Sequence, residues 1–187
     1  MNINSLTLKS LVATAAFLAS TAPMLAQHGH AASPHLTINR VVDRDSITLV
    51  YGSPYTKDPR SGETRKIWGG VIPFGEVWRM GADEATLLTT KEALQIGDTT
   101  VPAGTYSLYT LPASDGSAKL IINKQTGQWG TEYDKSQDLA RIDLKKETVA
   151  CPVDHFVMGI ERGASGGGVL KLMWEDVGYS LAFTVKK

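Results

Sequence analysis

The chain of 187 residues carries 19 lysines and arginines against 19 aspartates and glutamates, so its formal net charge at pH 7 is zero. Such a balance gives no long-range attraction to nucleic acid or to an anionic membrane surface, and neither partner is predicted. A single cysteine excludes an internal disulfide, so a hydrophobic core must hold the fold. The length suits one domain.

The first residues follow the order of a secretory signal peptide. Lys9 precedes the apolar run Leu11 to Ala19, which is too short to span a bilayer, and small residues then lead to a cleavage site after Ala26. We predict a signal peptide over residues 1–26 and a periplasmic or secreted mature protein. No lipobox cysteine follows the run, and no transmembrane segment is predicted once the signal is removed.

Residues 27–44 are predicted to be a flexible mature N-terminus. His28, His30 and His35 lie there among small polar residues and could alternatively bind a metal ion with modest affinity. The rest of the chain contains no HExxH, CxxC or EF-hand spacing, so we predict neither a metal site nor a cofactor for the folded domain.

Residues 45–187 are predicted to form a single all-β domain. Apolar and polar residues alternate with a period of two, turn signals separate the runs, and no long helical pattern intervenes. The runs are 46–52, 85–90, 93–97, 105–111, 118–124, 139–146, 155–161, 169–175 and 179–186. This pattern indicates a mostly antiparallel β-sandwich, or an open barrel, of about nine strands. In the last run Leu181, Phe183 and Val185 share the face assigned to the core.

One connection is much longer than the others. Residues 52–70 are rich in proline, glycine and charge, and they lead into VWRMGADEAT at residues 77–86. A connection of this length in a small sandwich is either disordered or a functional loop.

The segment VWRMGADEAT contains two adjacent carboxylates, Asp83 and Glu84, as an acid–base enzyme would require. Neighbours on a strand point to opposite faces, so the two can share a site only if the chain turns, which Gly81 permits. The alternative that we favour is that Glu84 accepts a bidentate hydrogen bond from Arg79 and ties the loop to the sheet. Arg79 could instead bind a carboxylate or phosphate of a ligand.

Three tryptophans, Trp68, Trp78 and Trp129, lie beside glycine or at loop edges, where an indole could stack on a sugar ring. The alternative for all three is packing between the sheets, as tryptophan rings in sandwiches commonly do. Trp174 stands inside an apolar run and is assigned to the core.

Three segments in this order, RKIWGGVIPFGEVWRMGADEATLLTT, VPAGTYSLYTLP and LIINKQTGQWGTEYD, resemble the bacterial family known as domain of unknown function 2911. The resemblance covers residues 45–186 and implies an exported protein of a kind common in Bacteroidetes, with no assigned activity. The family motif reads Trp-Arg-x-Gly-Ala-Asn-Glu-Ala-Thr, which this chain matches at Trp78, Arg79, Gly81, Ala82, Glu84, Ala85 and Thr86.

Two positions depart from the family motif, since Asp83 stands where Asn is common and Met80 where Thr is frequent. Replacing an amide by a carboxylate removes two hydrogen-bond donors and adds charge. If position 83 contacts an anionic ligand, this chain would bind that ligand more weakly.

The sequence thus predicts a non-catalytic binding or interaction module for a small molecule, a glycan or a peptide. Residues 52–70 and 77–86 would form an aromatic-edged pocket in which Arg79 anchors the ligand, and Glu84 would orient the guanidinium. The candidate ligand-binding residues are Trp68, Trp78, Arg79, Asp83, Glu84 and Trp129.

Two alternatives stay open. One is a hydrolase with Glu84 or Asp83 as general base, which requires a carboxyl group with a raised pKa in a concave pocket. The other is that the whole segment serves only folding, with Arg79 needed to pair a buried Glu84. The sequence does not decide whether the protein is an enzyme.

Overall fold

The structure, a computed structural model, describes residues 33–186. The predicted signal peptide and the first part of the predicted flexible segment, with His28 and His30, lie outside the described residues. No helix in the described range is long and apolar enough to cross a membrane.

Two antiparallel sheets make up the fold, which confirms the predicted all-β sandwich. The ten strands are β1 His35–Val42, β2 Asp45–Gly52, β3 Thr86–Thr90, β4 Leu94–Ile96, β5 Thr99–Val101, β6 Gly104–Pro112, β7 Ala118–Asn123, β8 Asp138–Asp143, β9 Lys145–Arg162 and β10 Gly168–Val185. One sheet has the strand order β1-β2-β3-β6-β7-β8 and the other β5-β4-β10-β9. A short 3-10 helix, Lys135–Gln137, precedes β8.

The strand β1 lies within the segment predicted to be flexible. It pairs with β2 along its whole length, from His35 opposite Gly52 to Val42 opposite Asp45. The prediction of flexibility up to residue 44 therefore does not hold for residues 35–42. Because β1 is an edge strand whose side chains are mostly exposed on both faces, its sequence lacks the alternation that marks the other strands.

The two last predicted runs join in one strand, β10. Its pairing with β9 shifts register between Met173 and Val177, and Glu175 between them has a positive φ of 54°. A bulge of this kind bends a strand without ending it. Residues on both sides of the bulge therefore belong to the same long hairpin.

The core lies between the sheets. Leu181 and Phe183 are buried there as predicted, and the partly buried Val185 packs against the same core cluster. Trp174 is fully buried, and its ring forms an aromatic cluster with Trp78 and Phe156, with centroids 5.0 to 6.0 Å apart. Removing these faces from water is the main source of stability for a fold without disulfides.

The outer face of the six-stranded sheet is also partly buried. Residues 124–134, here called the cover loop, lie over it, and Tyr133 packs against a second small cluster that includes Tyr109 and Ile121. Gln128 of the cover loop donates from Nε2 to the Tyr109 hydroxyl at 2.9 Å. The central strand β6 is therefore buried on both of its faces.

Trp174, which is fully buried, and Trp129, which is exposed, form a matched pair for testing which residues belong to the core. We expect Trp174→Ala to lower the free energy of unfolding by about 3–5 kcal/mol, because the lost ring leaves a cavity among aromatic neighbours. Replacing Trp129, a residue that is 46% exposed, by alanine should change the free energy of unfolding by less than about 1 kcal/mol. Urea unfolding measures both values, and similar losses in the two variants would contradict this assignment of the core.

Candidate functional site

A cleft with a volume of about 720 Å³ opens where three connections meet. Residues 53–65, here called the hairpin loop, form one wall, and residues 77–83 and the cover loop form the others. The lining residues are Pro54, Tyr55, Asp58, Pro59, Arg60 and Arg65 from the hairpin loop, Val77, Trp78, Arg79, Gly81, Ala82 and Asp83 from the second wall, Gly130, Thr131 and Tyr133 from the cover loop, and also Ser33, Val71 and Trp174.

The hairpin loop is folded by its own backbone. The Asp58 N–H donates to the Glu63 carbonyl at 2.8 Å, and the Asp58 carboxylate accepts the N–H groups of Arg60 and Ser61 at 2.8 and 3.1 Å. These two N–H groups lower the pKa of Asp58. The Oδ1 atom of Asp58 is thus committed to its own turn.

The base of the hairpin loop is fixed to β9. The Thr56 N–H donates to the Asp154 carbonyl at 2.7 Å, and the Phe156 N–H donates to the Pro54 carbonyl at 2.9 Å. Part of the long connection that the sequence singled out is therefore an ordered extension of the four-stranded sheet.

The second wall arises because the chain leaves the sheet and returns to it. Trp78 exchanges two backbone hydrogen bonds of 2.8 Å with Thr110 of β6, while Thr86 pairs with Leu108 of the same strand. Residues 79–85 therefore bulge out of the sheet between two neighbouring attachment points. We call these residues the arch.

The arch is closed by backbone contacts at the end of β2. A Cβ atom on Gly52 would overlap the Ala82 carbonyl oxygen, and one on Gly81 would lie 2.6 Å from the Gly52 oxygen. Met80 and Asp83 have positive φ angles of 52° and 65°. Aspartate and asparagine adopt this conformation more readily than other side chains do, which accounts for the residue at position 83.

Arg79 extends from the arch along Gly130 into the cleft. A Cβ atom on Gly130 would overlap Arg79 Cδ, so the glycine makes room for the stem of the arginine. Arg79 Nε donates to the Gly81 carbonyl at 3.2 Å. Within residues 33–186, no carboxylate oxygen lies within 4.0 Å of the guanidinium, and its two terminal nitrogens have no hydrogen-bond acceptor.

The ion pair that we favoured between Arg79 and Glu84 is not formed. Glu84 Oε2 lies 2.9 Å from Nε2 of His35, at the start of β1, and Glu84 does not line the cleft. The backbone N–H of Glu84 and the hydrogen bond from His35 lower the pKa of Glu84. The arch turns between positions 79 and 84, and for this reason the two side chains do not meet.

Asp83 lines the cleft, although its neighbour Glu84 does not. The Asp83 side chain is 29% exposed, and its Oδ2 atom is enclosed without a hydrogen-bond partner, 3.8 Å from His35 Nε2. The two adjacent carboxylates therefore do not share one site.

The three candidate tryptophans have different positions. Trp78 lines the cleft but is only 8% exposed. Its ring packs against Phe156 and Trp174 in the core. Trp68 packs outside the cleft, where its Nε1 donates to the Trp174 carbonyl at 3.1 Å. Trp129 is exposed outside the cleft lining and forms a backbone bridge with Glu84.

Sequence reasoning missed several lining residues. Arg65 donates to the carbonyls of Tyr55 and Thr56, whereas the Arg60 side chain has no acceptor in the described part of the chain. Both arginines belong to the long connection of residues 52–70, but the length of a connection does not indicate which of its side chains face a cleft. Tyr133 comes from the distant cover loop, and burial together with its hydrogen bond to Asp138 raises its pKa to about 12.

Across residues 33–186, histidine, cysteine, aspartate and glutamate side chains form no group of three or more that could hold a metal ion. His35, the one described member of the N-terminal histidines, is bound to Glu84.

The fold and the cleft can be compared with known proteins. A model of the family described as "Protein of unknown function (DUF2911)" matches residues 33–183. The chain belongs to this family. The match begins before β1 and includes every residue that lines the cleft. No curated protein and no solved structure matches the chain.

The contact between His35 and Glu84 predicts a pH-dependent effect. Because the folded-state pKa of Glu84 is lowered below 4.5, its contribution to stability is present above the unfolded-state pKa and is lost as the pH falls through the folded-state value. We expect His35→Gln to raise the Glu84 pKa and Arg79→Gln to leave it nearly unchanged. Carbon-13 NMR titration of the Glu84 carboxyl group measures its pKa in each variant. If Arg79→Gln raised the Glu84 pKa more than His35→Gln did, Arg79 rather than His35 would be the partner of Glu84.

Proposed function

We propose that this protein is a binding module whose cleft holds a small molecule by an anionic group, with Arg79 as the anchor. The observation that carries the proposal is the position of the Arg79 guanidinium. It is half-buried in a concave site, its stem and Nε are fixed, and both terminal nitrogens have no acceptor within residues 33–186.

A guanidinium held in this way favours a carboxylate or a phosphate as its partner. Its two terminal nitrogens present a planar pair of donors, which suits bidentate binding of an anion. A partly buried charged donor without an acceptor also costs free energy, and an anionic ligand removes that cost. Because the stem is already packed on Gly130, little side-chain entropy is lost when the anion binds.

The remaining lining supports a small organic ligand. Arg60 adds a second positive charge without an acceptor among the described residues, and Tyr55 and Trp78 add aromatic surface. Small-molecule sites have volumes of roughly 300–1,000 Å³ and combine apolar walls with a few polar groups. The volume of about 720 Å³ lies within that range. A small carboxylic acid, an acidic glycan or a peptide end has the required chemistry.

Hydrolysis by Asp83 and Glu84 has less support than binding. Glu84 lies outside the cleft lining, and its pKa is lowered, whereas a general base of this kind needs a raised pKa. We also propose that the module acts in the periplasm or outside the cell, on the support of the signal-peptide pattern in residues 1–26.

The test is ligand-dependent thermal stabilisation of the mature protein by a panel of aliphatic and aromatic carboxylates. A ligand present at 100 times its Kd adds about 2.7 kcal/mol to the free energy of unfolding. We expect Arg79→Gln to weaken binding at least about tenfold, since a hydrogen bond to a charged group contributes roughly 1.5–3 kcal/mol. Arg40→Gln, which changes an exposed arginine of β1 outside the cleft, serves as the control.

A second pair of variants keeps every charge and disturbs the contact that positions the arginine. The added Cβ of Gly130→Ala would overlap Arg79 Cδ and lie 2.8 Å from the Asp83 carbonyl oxygen, so this variant should displace the Arg79 stem together with the arch and weaken binding. Gly159→Ala, where an added Cβ meets no atom within 4 Å, should not weaken it. The proposal fails if no carboxylate stabilises the protein. It also fails if a carboxylate stabilises the native protein and Arg79→Gln equally.

A further inference from the structure

The cleft contains a carboxylate as well as a guanidinium, and the two do not pair. Arg79 and Asp83 both line it, yet in the described range no nitrogen of Arg79 lies within 4.0 Å of an Asp83 carboxylate oxygen. The backbone holds them apart. Gly130 donates its N–H to the Asp83 carbonyl at 2.9 Å and packs against the Arg79 stem, while Arg79 Nε is directed to the Gly81 carbonyl.

The Asp83 carboxylate needs hydrogen-bond donors that the described residues do not supply. Its Oδ2 atom is enclosed without a partner, and the distance of 3.8 Å to His35 Nε2 is too long for a hydrogen bond. Since Oδ2 is enclosed, the 29% exposure of this side chain lies on its other atoms. An ionised carboxylate accepts hydrogen bonds on both oxygens, and Oδ1, which is not enclosed and has no partner within residues 33–186, is the atom that a donor on a ligand would reach.

Asp58, the other carboxylate that lines the cleft, does not offer the same opportunity. Its Oδ1 atom already accepts two backbone N–H groups within the hairpin loop, and the positive charges of Arg65 and Arg60 act on the same carboxylate, which disfavours a further cation there. Asp83, by contrast, is held by the arch at a positive φ and makes no hydrogen bond through its side chain within residues 33–186. Asp83 is therefore the carboxylate of the cleft that can recognise a cationic donor.

From these two unlike charges, which line one cleft without pairing, we infer that the ligand is a zwitterion: an α-amino acid whose carboxylate binds Arg79 and whose ammonium group binds Asp83. Ring faces attract an ammonium group, and Tyr55 and Trp78 line the same cleft. The same aromatic surfaces favour an apolar or aromatic side chain on the ligand. This inference rests on the proposed function and adds a second requirement to it.

Calorimetric titration with compounds related to L-phenylalanine tests the inference. L-Phenylalanine carries both charges, 3-phenylpropionate lacks the ammonium group, phenethylamine lacks the carboxylate, and N-acetyl-L-phenylalanine imitates a peptide C-terminus. We expect L-phenylalanine to bind the native protein roughly tenfold or more tightly than each of the others.

Variants of the mature protein assign the effect to one carboxylate. Asp83→Asn keeps the shape of the side chain, and asparagine tolerates a φ of 65°, so this variant should fold. We expect it to weaken L-phenylalanine roughly tenfold and to leave 3-phenylpropionate unchanged or tighter. Asp143→Asn, which removes an exposed carboxylate paired with Lys119, should change neither affinity.

The outcomes separate the inference from the proposed function. Equal binding of L-phenylalanine and 3-phenylpropionate, with both dependent on Arg79, overturns the zwitterion and leaves the anion-binding function standing. Equal or tighter binding of N-acetyl-L-phenylalanine also overturns it, in favour of a peptide end. If none of the carboxylates binds, both fall. If Asp83→Asn does not fold, the comparison of compounds on the native protein decides.

Discussion

The cleft depends on a backbone contact between the end of β2 and the arch. The Ala82 N–H donates to the Gly52 carbonyl at 3.3 Å, and Gly52 and Gly81 approach so closely that neither position has room for a Cβ atom. Thr86 adds a hydrogen bond of 2.7 Å to the Met80 carbonyl. These contacts hold Met80 and Asp83 at positive φ, a conformation that costs free energy and persists only where surrounding structure enforces it.

The positions of the two unlike charges follow from that contact. Trp78 is bound to β6 and packs in the aromatic cluster of the core, so the residue after it enters the arch from a rigid point. Gly130 of the cover loop then packs against the stem of Arg79 and binds the carbonyl of Asp83. A site built in this way has its geometry set by the fold before any ligand arrives, which reduces the entropy lost on binding.

The sequence predicts the sandwich well because most strands have one face in the core. The alternation that ends in Leu181 and Phe183 is visible without coordinates, as is the burial of Trp174. β1 lacks this alternation because most of its side chains are exposed on both faces. β6 departs from it in the other direction, because the cover loop buries the face that would otherwise be exposed. The burial of β1 and β6 cannot be predicted from their own residues, since it depends on which distant segment of the chain lies against each strand.

The site is less predictable for a related reason. Arg79 and Glu84 have the spacing and chemistry of an ion pair, but two left-handed residues between them, Met80 and Asp83, send the two side chains in different directions. The partner that Glu84 does find, His35, comes from a segment far away in the chain. Trp68 and Trp129 show the same limit, because both stand beside glycine in the sequence and neither lines the cleft.

One measurement tests the central claim, that the fold holds the Arg79 guanidinium ready for an anion. The arginine Nε–H resonances of the native protein would be followed by NMR during titration with the carboxylate that stabilises it most, and the Arg79 signal identified by its loss in Arg79→Gln. The account predicts that this signal shifts in step with saturation while the Arg40 signal stays fixed. A ligand that saturates the protein without moving the Arg79 signal would contradict it.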